Sequence, residues 1–286
     1  MSTPDPTAAP APPRCYAHPD RLAGSICRRC NRPICPDCMR EAPVGWQCAG
    51  CVKQGSRISP TVRWRPRTPG RLGNTRMTPV VLAIIIVNVA VYLWEQIKLD
   101  HNIYRFGMWP NGIHYEHQWY RLVTSPFLHA SVTHIFLNML TLAIVGPPVE
   151  AELGRFRFLA VYLASALGGS VCSYLIGPAN ELGVGASGAI FGVMGAYFML
   201  ARRNRWETRT IAVLIVVNLA ISFADTTIDW RAHVGGLIVG AAVGYGMALT
   251  MERRRRPGLS AAYGTAVFVA AVVPLLLLSL LPPGKV

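Results

Sequence analysis

Acid is what this chain has least of. Asp and Glu supply 14 of 286 residues, and charged residues of both signs only 15%, where a soluble chain carries about 25%. The shortage excludes a soluble domain with an ordinary polar surface and makes lipid part of the solvent, in keeping with a mean hydropathy of +0.33. Lysine is nearly missing too. Only Lys53, Lys98 and Lys285 are present, so arginine carries the net charge of +14, a usage typical of a GC-rich genome. No apolar run precedes Pro79, which argues against a signal peptide; residues 1–14, rich in Pro and Ala, are expected to form a disordered tail. Acids are also absent from the interiors of the later apolar runs. Glu150, Glu152, Asp225 and Asp229 fall at span ends or in loops, which disfavours an ion-coupled transporter with a metal-sensing head.

What is present from Pro79 onward is a series of apolar runs separated by short loops. A spanning helix needs about 20 mostly apolar residues, and the expected spans are 79–94, 133–148, 156–176, 187–201, 210–223, 231–251 and 261–281. Basic residues alternate between the loops. One set holds Arg57 to Arg76, Arg155 and Arg157, Arg202 to Arg209, and Arg253 to Arg256; the other holds only Lys98, Arg105, Arg121, Arg231 and Lys285. By the positive-inside rule the N-terminus is cytoplasmic and the C-terminus extracytoplasmic. The same asymmetry accounts for the basic charge, so no nucleic-acid partner is needed. The first outer loop, 95–124, is rich in Tyr and Trp and is expected to lie at the headgroup level.

Seven of the eight cysteines fall between Cys15 and Cys51. Cys27/Cys30, Cys35/Cys38 and Cys48/Cys51 are C-x2-C pairs, and Cys15 with His18 makes a fourth of the same spacing. Eight thiolate and imidazole donors suffice for two closed tetrahedral Zn2+ sites of structural type. The odd cysteine count and the cytoplasmic placement argue against disulfides. Which pairs share an ion is left open by spacing. Cys172, alone in an apolar run, reads as a small buried hydrophobe.

Three polar constellations interrupt the spans. Ser187, in Gly185-Ala186-Ser187-Gly188, stands at a helix start beside unpaired N–H groups, and Gly188, Gly192 and Gly195 follow as a packing stripe. His233, in Ala232-His233-Val234-Gly235-Gly236, begins another span with Gly236, Gly240 and Gly244 at four-residue intervals. His134 and Asn138 share one helix face. Each alone is explained as well by capping or packing; together, at similar depth near the outer ends of their helices, they suit a nucleophile, its general base and oxyanion donors.

The H-x3-N, G-x-S-G and A-H-x-G-G motifs, in this order, resemble the signature of the rhomboid intramembrane serine proteases. Trp119-Tyr120-Arg121 and the run Glu150 to Arg155 match further. The resemblance covers about residues 79–251, and bacterial, actinobacterial-type rhomboids with a seventh span and a zinc-finger head look similar. It implies an all-α polytopic membrane protein: a six-helix rhomboid bundle plus a seventh C-terminal transmembrane helix, preceded by a small cytoplasmic zinc-binding domain. The expected divisions are tail 1–14, zinc-binding domain 15–51, basic linker 52–78, protease domain 79–251, and basic loop with last span 252–286. By the same resemblance Ser187 is the nucleophile and His233 the base of a dyad that needs no third acid or catalytic cofactor. His134, Asn138 and the Ser187 N–H form the oxyanion hole, and Gly185 shapes the loop. Transmembrane proteins are the substrates and the bacterial plasma membrane the location. The cysteine block resembles B-box or RING-like fingers, which implies Cys15/His18 sharing with Cys35/Cys38 and Cys27/Cys30 with Cys48/Cys51; it also suggests a protein partner for the head. An inactive client-binding relative is the main rival, disfavoured because both Ser187 and His233 are present.

Overall fold

The computed structural model describes residues 12–42, 45–58, 77–251 and 257–283. Most of the expected tail, the linker from 59 to 76 and the Arg253–Arg256 run lie outside them. The chain divides into two units, 1–67 and 68–286.

The first unit is two small hairpins and a helix. Strands β1 (Ser25–Ile26) and β2 (Pro33–Ile34) pair antiparallel, as do β3 (Met39–Ala42) and β4 (Gly45–Cys48), and α1 spans Ala49–Ile58. Its buried cluster consists of six cysteines and Ile34, with Cys30 and Met39 packed against it. Sulfur takes the place of a hydrocarbon core.

The second unit is helical. Helices α2 (Pro79–Glu95), α6 (Val132–Leu153), α7 (Arg155–Ile176), α8 (Ser187–Arg203), α9 (Arg209–Ala224), α10 (Trp230–Met251) and α11 (Pro257–Leu278) follow the seven expected runs. Four stretches among the described residues are long and apolar enough to cross a bilayer: Pro79–Phe106, Val132–Leu153, Arg155–Ile176 and Trp230–Thr250. Among the described residues Arg209–Ala224 and Ala262–Leu278 are apolar but shorter. Helix α6 runs five residues beyond the expected stop at Pro148, with Pro147 and Pro148 inside it. Prolines are tolerated in membrane helices when neighbouring groups satisfy the freed carbonyls. The outside of the bundle is as apolar as its core: Leu82, Ile86, Phe136, Leu137, Val216 and Phe223 are exposed while Val81, Leu142 and Val193 are fully buried. Such helices belong in lipid.

Glycine sets the spacing of the centre. A methyl on Gly236 would meet Gly188 O, one on Gly240 the Gly192 backbone, and one on Gly244 Ala196. Gly169 and Gly188 both abut the Ala232 carbonyl. The two glycine stripes foreseen in the sequence thus lock α8 against α10, and α7 closes the third side, by the close approach that small residues permit.

The segment 95–124 is more ordered than a surface loop. It folds into α3 (Leu99–Phe106), α4 (Pro110–Glu116) and α5 (Arg121–Thr124) around Arg121, which is 1% exposed. The guanidinium donates to Tyr104 O at 2.7 Å, Gly107 O at 2.8 Å and Gln118 Oε1 at 2.6 Å, and lies over the Trp109 and Tyr120 rings. Backbone carbonyls and ring faces, not a carboxylate, satisfy this buried charge. Glu150 does the complementary job at the other end of the bundle. Its carboxylate accepts from Val80 N and from Val81 N at 2.9 Å, capping α2 from α6. An acid at a helix N-terminus satisfies orphan donors and complements the dipole.

Candidate active site

A cavity of about 470 Å3 opens between α6, α7, α8 and α10, and Ser187, His233, His134, Asn138 and Gly185 all line it. Residues up to 99 positions apart in sequence are therefore brought to one place.

Ser187 is the first residue of α8 and His233 lies in the first turn of α10. The glycine contact between these helices brings Ser187 Oγ to 2.7 Å from His233 Nε2. His233 is buried, its ring stacked on Phe191 with centroids 4.3 Å apart and planes 18° from parallel. Its second nitrogen, Nδ1, lies 2.7 Å from Ser222 Oγ on α9. A hydroxyl hydrogen-bonded to an imidazole held on both sides is the arrangement that activates a serine.

The approach to Ser187 depends on Gly185. Its φ is +131°, a region closed to most side chains, and a Cβ there would sit 2.8 Å from His134 Nε2 and 3.6 Å from Ser187 Oγ. Gly185 N donates to Ser125 O at 3.1 Å, fixing the loop. His134 enters from α6, where the Ser131 hydroxyl caps the helix by accepting from His134 N at 3.1 Å. Asn138, one turn on, donates from Nδ2 to His134 O at 2.9 Å, which uses one of its two amide hydrogens. His134 and Asn138 both line the cavity that Ser187 lines.

The sequence motifs do not include three further groups that shape the site. Phe191 is four residues after Ser187, so helix periodicity places it on the same face. Asp229 caps α10 by accepting from Arg231 N at 3.1 Å and Ala232 N at 3.3 Å, and it also accepts from Ser173 on α7. Ser222 is a polar residue inside an apolar run, which alone warrants a question in a membrane helix.

In the first unit the donors fall into two groups, Cys15, His18, Cys35, Cys38 and Cys27, Cys30, Cys48, Cys51, each with all ligand atoms within 4.8 Å of one another. The groups interleave: the first pair along the chain joins the third, and the second joins the fourth. His18 Nδ1 is 3.3 Å from Cys38 Sγ, 3.4 Å from Cys35 Sγ and 3.9 Å from Cys15 Sγ, and Cys30 Sγ is 3.8 Å from Cys48 Sγ. A tetrahedron with metal–sulfur bonds of about 2.3 Å has edges of about 3.8 Å, so the donor set fits a Zn2+-sized ion. Charge points the same way. Burial raises the Cys15 and Cys27 thiols, but backbone amides outweigh it and hold both at about 6. Burial and neighbouring Cys35 and Cys15 push Cys38 up to about 11; Cys48 and burial push Cys51 up to about 12. Thiols so close, three in one group and four in the other, resist joint ionisation, and a dication removes that resistance. Among the described residues no cysteine forms a disulfide.

The rhomboid domain family matches residues 116–250. Over 192 residues the chain is 32% identical to the putative rhomboid protease YdcA of Bacillus subtilis, covering 63% of this chain and 94% of YdcA. It is 41% identical over 140 residues to the rhomboid protease GluP of the same organism, covering 47% of this chain and 27% of GluP. With the rhomboid protease AarA of Providencia stuartii it shares 26% identity over 211 residues, 62% of this chain and 75% of AarA.

Proposed function

The chain belongs to the rhomboid family of intramembrane serine proteases, and from that footing we propose that Ser187 is its nucleophile and His233 its general base. The reaction is hydrolysis of a peptide bond in or near a transmembrane segment of another membrane protein. The observation that carries this reading is the 2.7 Å contact from Ser187 Oγ to His233 Nε2 at the floor of a cavity.

Chemistry follows from the geometry. His233 Nε2 takes the hydroxyl proton as Ser187 Oγ attacks the scissile carbonyl. The oxyanion that forms is held by His134 Nε2–H, the second Asn138 amide hydrogen and the Ser187 N–H at the start of α8. Collapse expels the amine, which leaves with the proton from His233, and the acyl group stays on Ser187. Water then gives its proton to His233, attacks the ester and releases the acid, restoring both side chains. The 17 residues of α8 span about 25 Å, less than the roughly 30 Å hydrocarbon core. A site at its outer end therefore lies partway into the bilayer, where water can reach it. The scissile bond must come from a substrate helix that unwinds, since an intact helix shields its own carbonyls. By the charge of the loops, the N-terminus and metal-binding head are cytoplasmic, the C-terminus is extracytoplasmic, and the membrane is the bacterial plasma membrane. The head holds two structural Zn2+ ions and recruits a protein partner.

The test uses the full chain in liposomes with single-span proteins carrying glycine or proline near the outer end of their helices. A single cut near that end, blocked by a fluorophosphonate, is the expected result; cutting that ignores the inhibitor, or none in any substrate, overturns the reading. In the same assay Asn138→Ala and His134→Ala should each lower kcat about 100-fold with KM little changed. A rise in KM at constant kcat would instead make them substrate-binding groups.

A further inference from the structure

We infer that Ser222 positions the general base by fixing which ring nitrogen of His233 carries the proton, an inference that rests on reading His233 as that base. A neutral imidazole can activate Ser187 only if Nε2 is bare and Nδ1 is protonated. The stack on Phe191 sets the ring plane but is indifferent to the tautomer. Ser222 is not.

The Ser222 hydroxyl has one hydrogen, and Asn218 O, 2.7 Å away within the same helix, is a carbonyl that can only accept it. Toward His233 Nδ1, at 2.7 Å, Ser222 Oγ therefore presents a lone pair. It accepts, so Nδ1 must donate, and the bare Nε2 faces Ser187 Oγ. The chain of donors reads Ser187 Oγ–H to His233 Nε2, His233 Nδ1–H to Ser222 Oγ, Ser222 Oγ–H to Asn218 O. When His233 takes the serine proton, the same Nδ1–H strengthens its bond to Ser222, so the contact also supports the charged state without a carboxylate.

The packing of α9 agrees. Ile211 and Ser222 are its only buried residues, three turns apart, while Val213, Val216, Val217, Ile221 and Phe223 are exposed. A small polar side chain buried in an otherwise outward-facing helix, and touching the base, has a role that hydrophobic packing does not explain.

The experiment compares wild type, Ser222→Ala, Ser222→Thr and Ser222→Val in liposomes. Thr keeps the hydroxyl; Val has its shape without it. The rate of fluorophosphonate acylation should fall about tenfold in Val and Ala, the loss of one neutral hydrogen bond, and stay near wild type in Thr. Thr and Val falling together would show that shape, not the hydroxyl, matters, and no loss in either would end the inference. A second arm reads the ring directly. In 15N-histidine spectra, with the His233 signals identified by their loss in His233→Ala, neutral His233 should carry its proton on Nδ1 in wild type and become a tautomer mixture in Ser222→Val. Protonation on Nε2 in wild type overturns the inference even in a preparation that does not label. Labelling that survives Ser187→Ala would instead sink the dyad, a separate outcome.

Discussion

Ser187→Ala and His233→Ala are each expected to abolish fluorophosphonate labelling and to lower peptide hydrolysis by about 10^4-fold or more, with the double variant no worse than either single one. The reason is that the two act as one unit. The hydroxyl attacks only as its proton leaves, and His233 Nε2, 2.7 Å away, is placed to accept it; removing either end removes the whole step. Folding should be affected less, and unequally. Ser187→Ala forfeits one hydrogen bond at a half-buried position, about 1 kcal/mol. His233→Ala also vacates the space against Phe191 and strips Ser222 of a partner, about 3 kcal/mol for an aromatic deletion. Thermal denaturation in detergent beside the labelling gel separates the two effects. Equal labelling of wild type and both variants would mean that a different serine reacts. Labelling of none, wild type included, would favour a client-binding protein or a site held shut.

Much of this is legible in the amino-acid sequence. The seven apolar runs become seven helices because length and composition decide whether a segment can satisfy its backbone in lipid. The stripes at Gly188–Gly195 and Gly236–Gly244 interlock because four-residue spacing is a contact face in any membrane helix. Ser187, His233, His134 and Asn138 stand out because polar groups in apolar runs are conspicuous. What was not legible depends on contacts with no local signature. Arg121 reads as a loop arginine; only the fold of 95–124 shows it buried against three oxygens. Ser222 is a polar residue inside an apolar run, a signal that names no role by itself, and its meaning comes from α9 meeting α10. Helix α6 continues through Pro147 and Pro148 to Leu153, since proline interrupts a helix less in lipid-embedded bundles than in water. The pairing of the cysteines lies between these cases: each knuckle is identical at short range, and the β1–β2 and β3–β4 hairpins bring distant ones together.

That pairing makes the last prediction a sharp one. Among its described residues the first unit buries one branched aliphatic, Ile34, and otherwise sulfur. Such a core contributes only a few kcal/mol by area, whereas structural zinc contributes about 10–16 kcal/mol in zinc-finger peptides near neutral pH. Stripping the metal with a strong chelator should therefore unfold this unit, read as proteolytic nicking at its arginines and loss of amide dispersion, and metal analysis before treatment should give two zinc ions per chain. Because protons compete with the metal for the ligating thiolates, loss of metal should be promoted by falling pH and opposed by rising pH. The double variants carry the argument further. Under the interleaved grouping, Cys15→Ser and Cys35→Ser damage the same site, so the pair together should still leave one zinc ion, as should Cys27→Ser with Cys48→Ser. Cys15→Ser with Cys27→Ser should leave none. If neighbouring pairs shared an ion instead, with Cys15, His18, Cys27 and Cys30 around one metal, these stoichiometries would exchange: the first two combinations would bind no zinc and the third would bind one. Counting metal in three proteins thus distinguishes two folds of one cysteine pattern, since the hairpins that bring Cys15 to Cys35 cannot persist if the ion joins Cys15 to Cys27.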